Sequence, residues 1–94
     1  MILEQQIWKA KAGHRDDLAA LGKVLGERMG VPYRVYTPLT HPSTLVMFEF
    51  QFEDLAQQTK LWAKWNAEPE MQELQRQLHE LVEKEHRNEL YRVL

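Results

Sequence analysis

Glu4, Gln6 and Trp8 recur at every second residue near one end of the chain, and Met47, Glu49 and Gln51 do the same in its middle. Alternate residues of an extended chain share a face, so each trio presents a carboxylate, a carboxamide and an apolar body together. Arg34 and Tyr36 add a guanidinium and a phenol at the same spacing. Such a set could orient a small molecule in a pocket, or it could form an ion-pair network that only fixes how two surfaces dock. A pair of carboxylates does not declare acid–base chemistry by itself, because separation and environment set the roles. No catalytic residue is assigned on this basis.

His79, Glu83 and His86 stand at i, i+4 and i+7, which on a helix would bring nitrogen and oxygen ligands to one face. Nothing in a recognisable pattern nearby would orient them, and the triplet reads as solvated surface, so no metal is expected. His14 and His41 fall in turn contexts and read as capping or exposed groups. The chain has no glycine-rich phosphate loop and no nucleophile elbow. It also has no cysteine, which excludes disulfides, thiolate catalysis and cysteine-ligated metal centres.

Composition narrows the class further. Ninety-four residues, 44% of them hydrophobic and 28% charged, suit one globular domain spanning 1–94. A chain of this size buries only about 60% of its unfolded surface, so a second subunit would help it. The net charge is −2 and basic residues are scattered among acidic ones, leaving no cationic stripe for nucleic acid. Met1 to Gln6 is not a basic segment leading into an apolar run, and no apolar stretch approaches the length of a membrane span. A soluble, cytoplasmic protein without nucleic-acid or membrane partners is expected.

The elements that must position these residues are legible in order. Leu3 to Lys11 alternates as a strand and closes at Gly13. A helix follows with Asp16 and Asp17 in its first turn, an apolar stripe of Leu18, Leu21, Leu25 and Met29, and Gly30 at its end. Gly22 and Gly26, four apart inside it, suggest close approach to a neighbour. Val31 to Thr37 reads as an edge strand between prolines, Thr37 to Ser43 as a loop, and Thr44 to Phe52 as the clearest strand of the chain. Glu53 and Asp54 open a helical half that breaks at Asn66-Ala67-Glu68-Pro69, with Pro69 starting a new helix whose seam is Met71, Leu74, Leu78 and Leu81. Arg87 to Leu94 is a final strand.

The order is βαββαβ, the α+β ferredoxin-like arrangement of a four-stranded antiparallel sheet with helices on one face. Val46, Phe48, Phe50 and Phe52 then meet the helices, and Leu45, Met47, Glu49 and Gln51 face the open side. Tyr33 and Val35 join the core, leaving Arg34 and Tyr36 open. On the first strand the apolar Leu3 and Ile7 are assigned to the helix side, which puts Glu4, Gln6 and Trp8 on the open side; Arg92 is expected to join them. Trp62 and Trp65, three apart, either pack on the sheet or cover a pocket mouth.

Several of these residues also resemble a known family. Met1-Ile2-Leu3-Glu4 leading through Trp8 to Lys11-Ala12-Gly13-His14 is similar to the opening of NIPSNAP-like members of the dimeric α/β-barrel superfamily. Phe52-Glu53-Asp54-Leu55 and Trp65-Asn66-Ala67-Glu68-Pro69-Glu70-Met71 are similar to that family's strand end, helix start and helix break. Gln6 stands where the family usually has an arginine. The resemblance implies a homodimer whose open sheet faces close into a barrel, with an interior pocket in each subunit for a small apolar ligand. Other branches of the superfamily are cofactor-independent monooxygenases and isomerases acting on small apolar substrates, which gives the alternative to a binding or interaction module. Its haem-degrading branch uses a first-strand Asn, a helix Trp and a helix His. Here Gln6 and Trp65 match the first two positions, Gln75 falls where the His is expected, and His79 lies one turn further on. No haem, and no other cofactor, is expected.

Overall fold

Every second residue of Leu45–Phe52 (β3) is fully buried, and those residues are Val46, Phe48, Phe50 and Phe52. Three aromatic rings on one face of a short strand give the rest of the chain a surface to fold onto. The computed structural model describes residues 1–40 and 44–94, without the side chains of 84–86. His41 and the side chain of His86 therefore lie outside the described residues.

β3 pairs antiparallel with Ile2–Ala10 (β1) on one side and Tyr33–Tyr36 (β2) on the other. Val82–Arg92 (β4) pairs antiparallel with the far side of β1, so the sheet runs β2-β3-β1-β4 with β1 and β3 central. This is the ferredoxin-like order that the element sequence implies. The helices are Arg15–Met29 (α1), Leu55–Ala67 (α2) and Pro69–Leu81 (α3). Asp54 caps α2 by accepting the Gln57 backbone N–H at 2.8 Å. Pro69 sits in the first turn of α3, where its missing donor is not needed. Gln72 closes the break by donating to the Asn66 carbonyl at 2.9 Å. Among the described residues no helix is long and apolar enough to cross a membrane.

The register of β1 corrects one expectation. Ile2 lies opposite Phe52, Glu4 opposite Phe50, Gln6 opposite Phe48 and Trp8 opposite Val46. Directly opposed residues in an antiparallel pair share a face, so Glu4, Gln6 and Trp8 face the helices while Leu3 and Ile7 face the open side. Ranking the strand by polarity alone misplaces it. The even set contains Ile2, Trp8 and Ala10, all buried, and its two polar members are satisfied by hydrogen bonds, which removes the penalty of burying them. Arg92 follows the same correction, since it lies opposite Ile2.

β4 also begins earlier than the sequence suggests. The apolar seam of α3 has no apolar residue at the turn after Leu81, and Val82 is already extended (φ −110°, ψ 153°). His79, Glu83 and His86 therefore do not share a helix face: Glu83 lies on β4, 3.3 Å from the Lys9 ammonium.

The two helical glycines have a steric cause. A Cβ on Gly22 would stand 2.3 Å from Cε1 of Phe48, and one on Gly26 would stand 2.4 Å from the Tyr33 ring. α1 thus lies with bare backbone against two aromatic faces. Gly22→Ala sets a helix-propensity gain of about 1 kcal/mol against overpacking of about 1–3 kcal/mol. Because the Phe48 ring is enclosed, the variant should lose about 1–2 kcal/mol, read as a lower denaturant midpoint; a raised midpoint would show that the ring can swing aside.

Candidate functional site

The Glu4 carboxylate has no exposed surface, yet it receives four N–H groups. Its Oε1 accepts from Trp62 Nε1 at 2.7 Å and from Gln58 Nε2 at 2.9 Å. Its Oε2 accepts from Gln6 Nε2 at 2.7 Å and from Asn88 Nδ2 at 3.3 Å. Each donor is placed by local geometry. Gln58 and Trp62 lie one turn apart on α2 and so project from one side of it. Gln6 follows Glu4 by two residues on β1, and Asn88 lies opposite Gln6 on β4. Gln6 Oε1 then accepts the Trp8 indole N–H at 3.1 Å, so polar groups on β1 form a chain from Trp8 through Gln6 to Glu4.

A carboxylate offers about four lone-pair sites and only accepts; here the donors fill them. All four are neutral. No ion pair among the described residues includes Glu4, so its charge is held by oriented dipoles.

Above this group lies a cavity of about 340 Å³ between the sheet and the three helices. Trp8, Phe50 and Trp62 supply aromatic wall, and Leu25, Met29 and Leu78 complete its apolar lining. Trp62 meets Phe50 edge-on (ring centroids 6.3 Å, 76°) and Trp65 perpendicularly (5.1 Å, 90°). Trp65 itself is buried against Phe52. The two tryptophans thus divide their tasks: Trp65 packs, and Trp62 lines the cavity. His79 stands at the rim with its ring edge-on to Trp8 (5.9 Å, 88°). Its Nδ1 is 2.7 Å from the Gln75 carbonyl oxygen, which can only accept, so Nδ1 carries the proton and Nε2 is the acceptor of the neutral ring.

The residues expected to act together therefore fall on opposite sides of the sheet. Glu4, Gln6 and Trp8 line the helix-side cavity. Arg34, Tyr36, Met47, Glu49 and Gln51 remain on the open face, as their register with one another requires. There Arg34 donates to Glu49 Oε2 from Nη2 at 2.6 Å and from Nε at 2.8 Å, and Gln5 donates to the Tyr36 hydroxyl at 2.7 Å. Farther along the face the Tyr91 hydroxyl, followed by Arg87, holds the Glu89 carboxyl below the usual carboxylate range, and Glu89 in turn pushes the Tyr91 hydroxyl up. Sequence reasoning missed Gln58 and Asn88. The signal for Gln58 was its one-turn spacing from Trp62; Asn88 had none without the strand register.

The architecture is a ferredoxin-like α+β domain with its helices on one face of the sheet. Solved structures that share it include an uncharacterised NIPSNAP domain protein from Burkholderia xenovorans (TM-score 0.84, 14% identity, covering 100% of this chain and 95% of that one). A NIPSNAP family protein from Agrobacterium tumefaciens shares it too (0.80, 16%, 96% and 90%). So does an antibiotic biosynthesis monooxygenase (0.76, 13%, 100% and 99%). At these identities the likeness is one of fold, and it agrees with the NIPSNAP-like resemblance read from the residues. Neither a family model nor a curated protein sequence matches the chain.

The two faces predict different costs. Trp62→Phe removes a donor from a buried carboxylate and should cost about 1.5–3 kcal/mol. Arg34→Met breaks a pair whose guanidinium is largely exposed although its Glu49 carboxylate is not, and should cost about 1 kcal/mol. Denaturant titration of the two variants gives the comparison, and equal losses would mean that the Glu4 network is not a special contributor.

Proposed function

We propose that this protein is a NIPSNAP-like small-molecule-binding module, and that the binding site is the helix-side cavity of each chain. The observation that carries the reading is the cavity of about 340 Å³ set over the fully buried Glu4. That volume falls at the lower end of the range for ligand pockets, and the mix of apolar wall with a few convergent polar groups is the usual composition of such sites. The ligand is a small, largely apolar molecule with a hydrogen-bonding group. A cytoplasmic setting suits a cysteine-free chain, and neither nucleic acid nor membrane enters the reading.

The open face belongs to a second copy of the chain. Leu3, Ile7, Leu45 and Met47 lie there half-covered beside Tyr36 and the exposed Tyr91. One chain of this length buries too little to leave an apolar sheet face in water without cost. A two-fold pairing of these faces would close the barrel that the resemblance implies. The Arg34–Glu49 pair would then set docking, and residues of that face would act on the dimer and not on the ligand.

A catalytic reading is favoured by one observation, the His79 ring fixed at the cavity rim with Nε2 as acceptor. An imidazole so placed could take a proton from a carbon acid and return it elsewhere, an isomerisation that needs no cofactor. The fold shared with an antibiotic biosynthesis monooxygenase supports an oxidative variant of the same reading.

Fragment screening by NMR tests the binding site. Hits should shift the indole N–H resonances of Trp8 and Trp62 together; hits confined to the open face, or none, would reject it. A hit that is also consumed, with consumption abolished and binding retained in His79→Gln, would mark an enzyme. Light scattering tests the assembly. The protein should have twice the 11.2 kDa mass of one chain, and Met47→Lys should return it to that mass without moving the Trp62 resonance. A monomeric parent chain at micromolar concentration would remove the dimer.

A further inference from the structure

We infer that the molecule bound in this cavity carries a protonated amino group on an apolar or aromatic body. The inference rests on the binding reading above and deepens it.

Three observations converge. The first is charge. Buried carboxylates are ordinarily paired with a cation, whereas Glu4 has four neutral donors and no lysine or arginine lines the cavity among the described residues. Among the described residues the only fixed charge lining the cavity is negative, so it repels carboxylates and phosphates and favours a cation.

The second is the direction of the amides. A carboxylate can only accept, so it draws the NH₂ ends of Gln58 and Asn88 toward itself, which settles which end of each amide is nitrogen. Their carbonyl oxygens are turned away from Glu4. Gln58 Oε1 accepts only a long contact from the Thr59 hydroxyl at 3.5 Å, and Asn88 Oδ1 has no partner among the described residues. His79 Nε2 is a third acceptor without a partner among them. These three side chains line one cavity, and an ammonium group has three N–H donors and no acceptor.

The third is the wall. Trp8, Phe50 and Trp62 present aromatic surface to the same space, and aromatic rings attract cations through their quadrupoles. Hydrogen bonds thus ask for donors, the aromatic wall suits a cation, and the buried carboxylate lacks one. An amine satisfies all three at once, an alcohol only the hydrogen-bond acceptors and an acid none.

The test uses three probes of one shape, phenethylamine, phenethyl alcohol and hydrocinnamate, titrated at neutral pH into the full chain and followed by the Trp62 indole resonance. The amine should bind about ten-fold more tightly than the alcohol, and the acid most weakly. Glu4→Gln should remove the preference for amine, bringing the amine and alcohol affinities within about two-fold of each other. Should that variant fail to fold, Gln58→Lys serves instead, because an internal ammonium beside Glu4 should bring the amine and alcohol affinities within about two-fold of each other. Equal binding of amine and alcohol, or a preference that survives both substitutions, overturns the charge inference and leaves the pocket standing. If no probe moves the Trp62 resonance at millimolar concentration, the pocket reading falls and takes this inference with it.

Discussion

A carboxylate with no water contact, held by N–H groups from β1, α2 and β4, joins parts of the chain that are distant in sequence. Gln58 and Trp62 reach Glu4 from α2, and Asn88 reaches it from the last strand. If Glu4 were apolar, the partly buried Gln58 and Trp62 would lose their acceptor, and each would carry part of the desolvation penalty of an unmade bond. If the donors were apolar, the charge would be stranded. The network therefore works as a unit and ties α2 to the sheet at one place. No buried side-chain polar atom among the described residues lacks a partner, so the cost of this polar core is offset by its hydrogen bonds.

That tie also explains why a cavity exists at all. α1 and α2 lie over the same sheet but at different closeness. Gly22 and Gly26 let the α1 backbone rest on the rings of Phe48 and Tyr33. α2 turns two tryptophans toward the sheet, Trp65 onto Phe52 and Trp62 onto Phe50, and side chains of that size hold a helix away from it. α3 is set off from α2 by the Pro69 break and closes the layer with Leu78. Space remains where a helix held close meets helices held off, and the polar groups of β1 open into that space. The small residues of one helix and the large ones of another thus shape the site as much as the residues that line it.

The sequence made the architecture legible because each element carried its own local signal. Phe48, Phe50 and Phe52 declared β3 by alternation, the stripe from Leu18 to Met29 declared α1, and Asp54 and Pro69 marked helix starts. β1 was harder to phase, since its two faces are similar in apolarity: Ile2, Trp8 and Ala10 on one, Leu3 and Ile7 on the other. What decides between them is not transfer energy residue by residue but whether Glu4 and Gln6 can find partners inside. Those partners, Gln58 and Asn88, come from far along the chain, and no local pattern announces them. Lys9 held the one local clue. A lysine in the odd set is most easily accommodated where its head reaches water, and on that ground the odd face is the open one.

The consequence is a functional division that chemistry by residue type would hide. Glu4 and Glu49 are both strand glutamates of the same sheet, but Glu4 lies opposite Phe50 and Glu49 lies opposite Gln5. One residue of register separates them, and with a period of two that offset places them on opposite faces. Glu49 has a guanidinium for a partner, itself largely exposed, so its charge is compensated inside the chain. Glu4 has no cation beside it among the described residues, and no exposed surface. A charge left in that condition exerts its field on whatever enters the cavity beside it, and this is why a ligand is to be sought between the sheet and the helices and not on the open face.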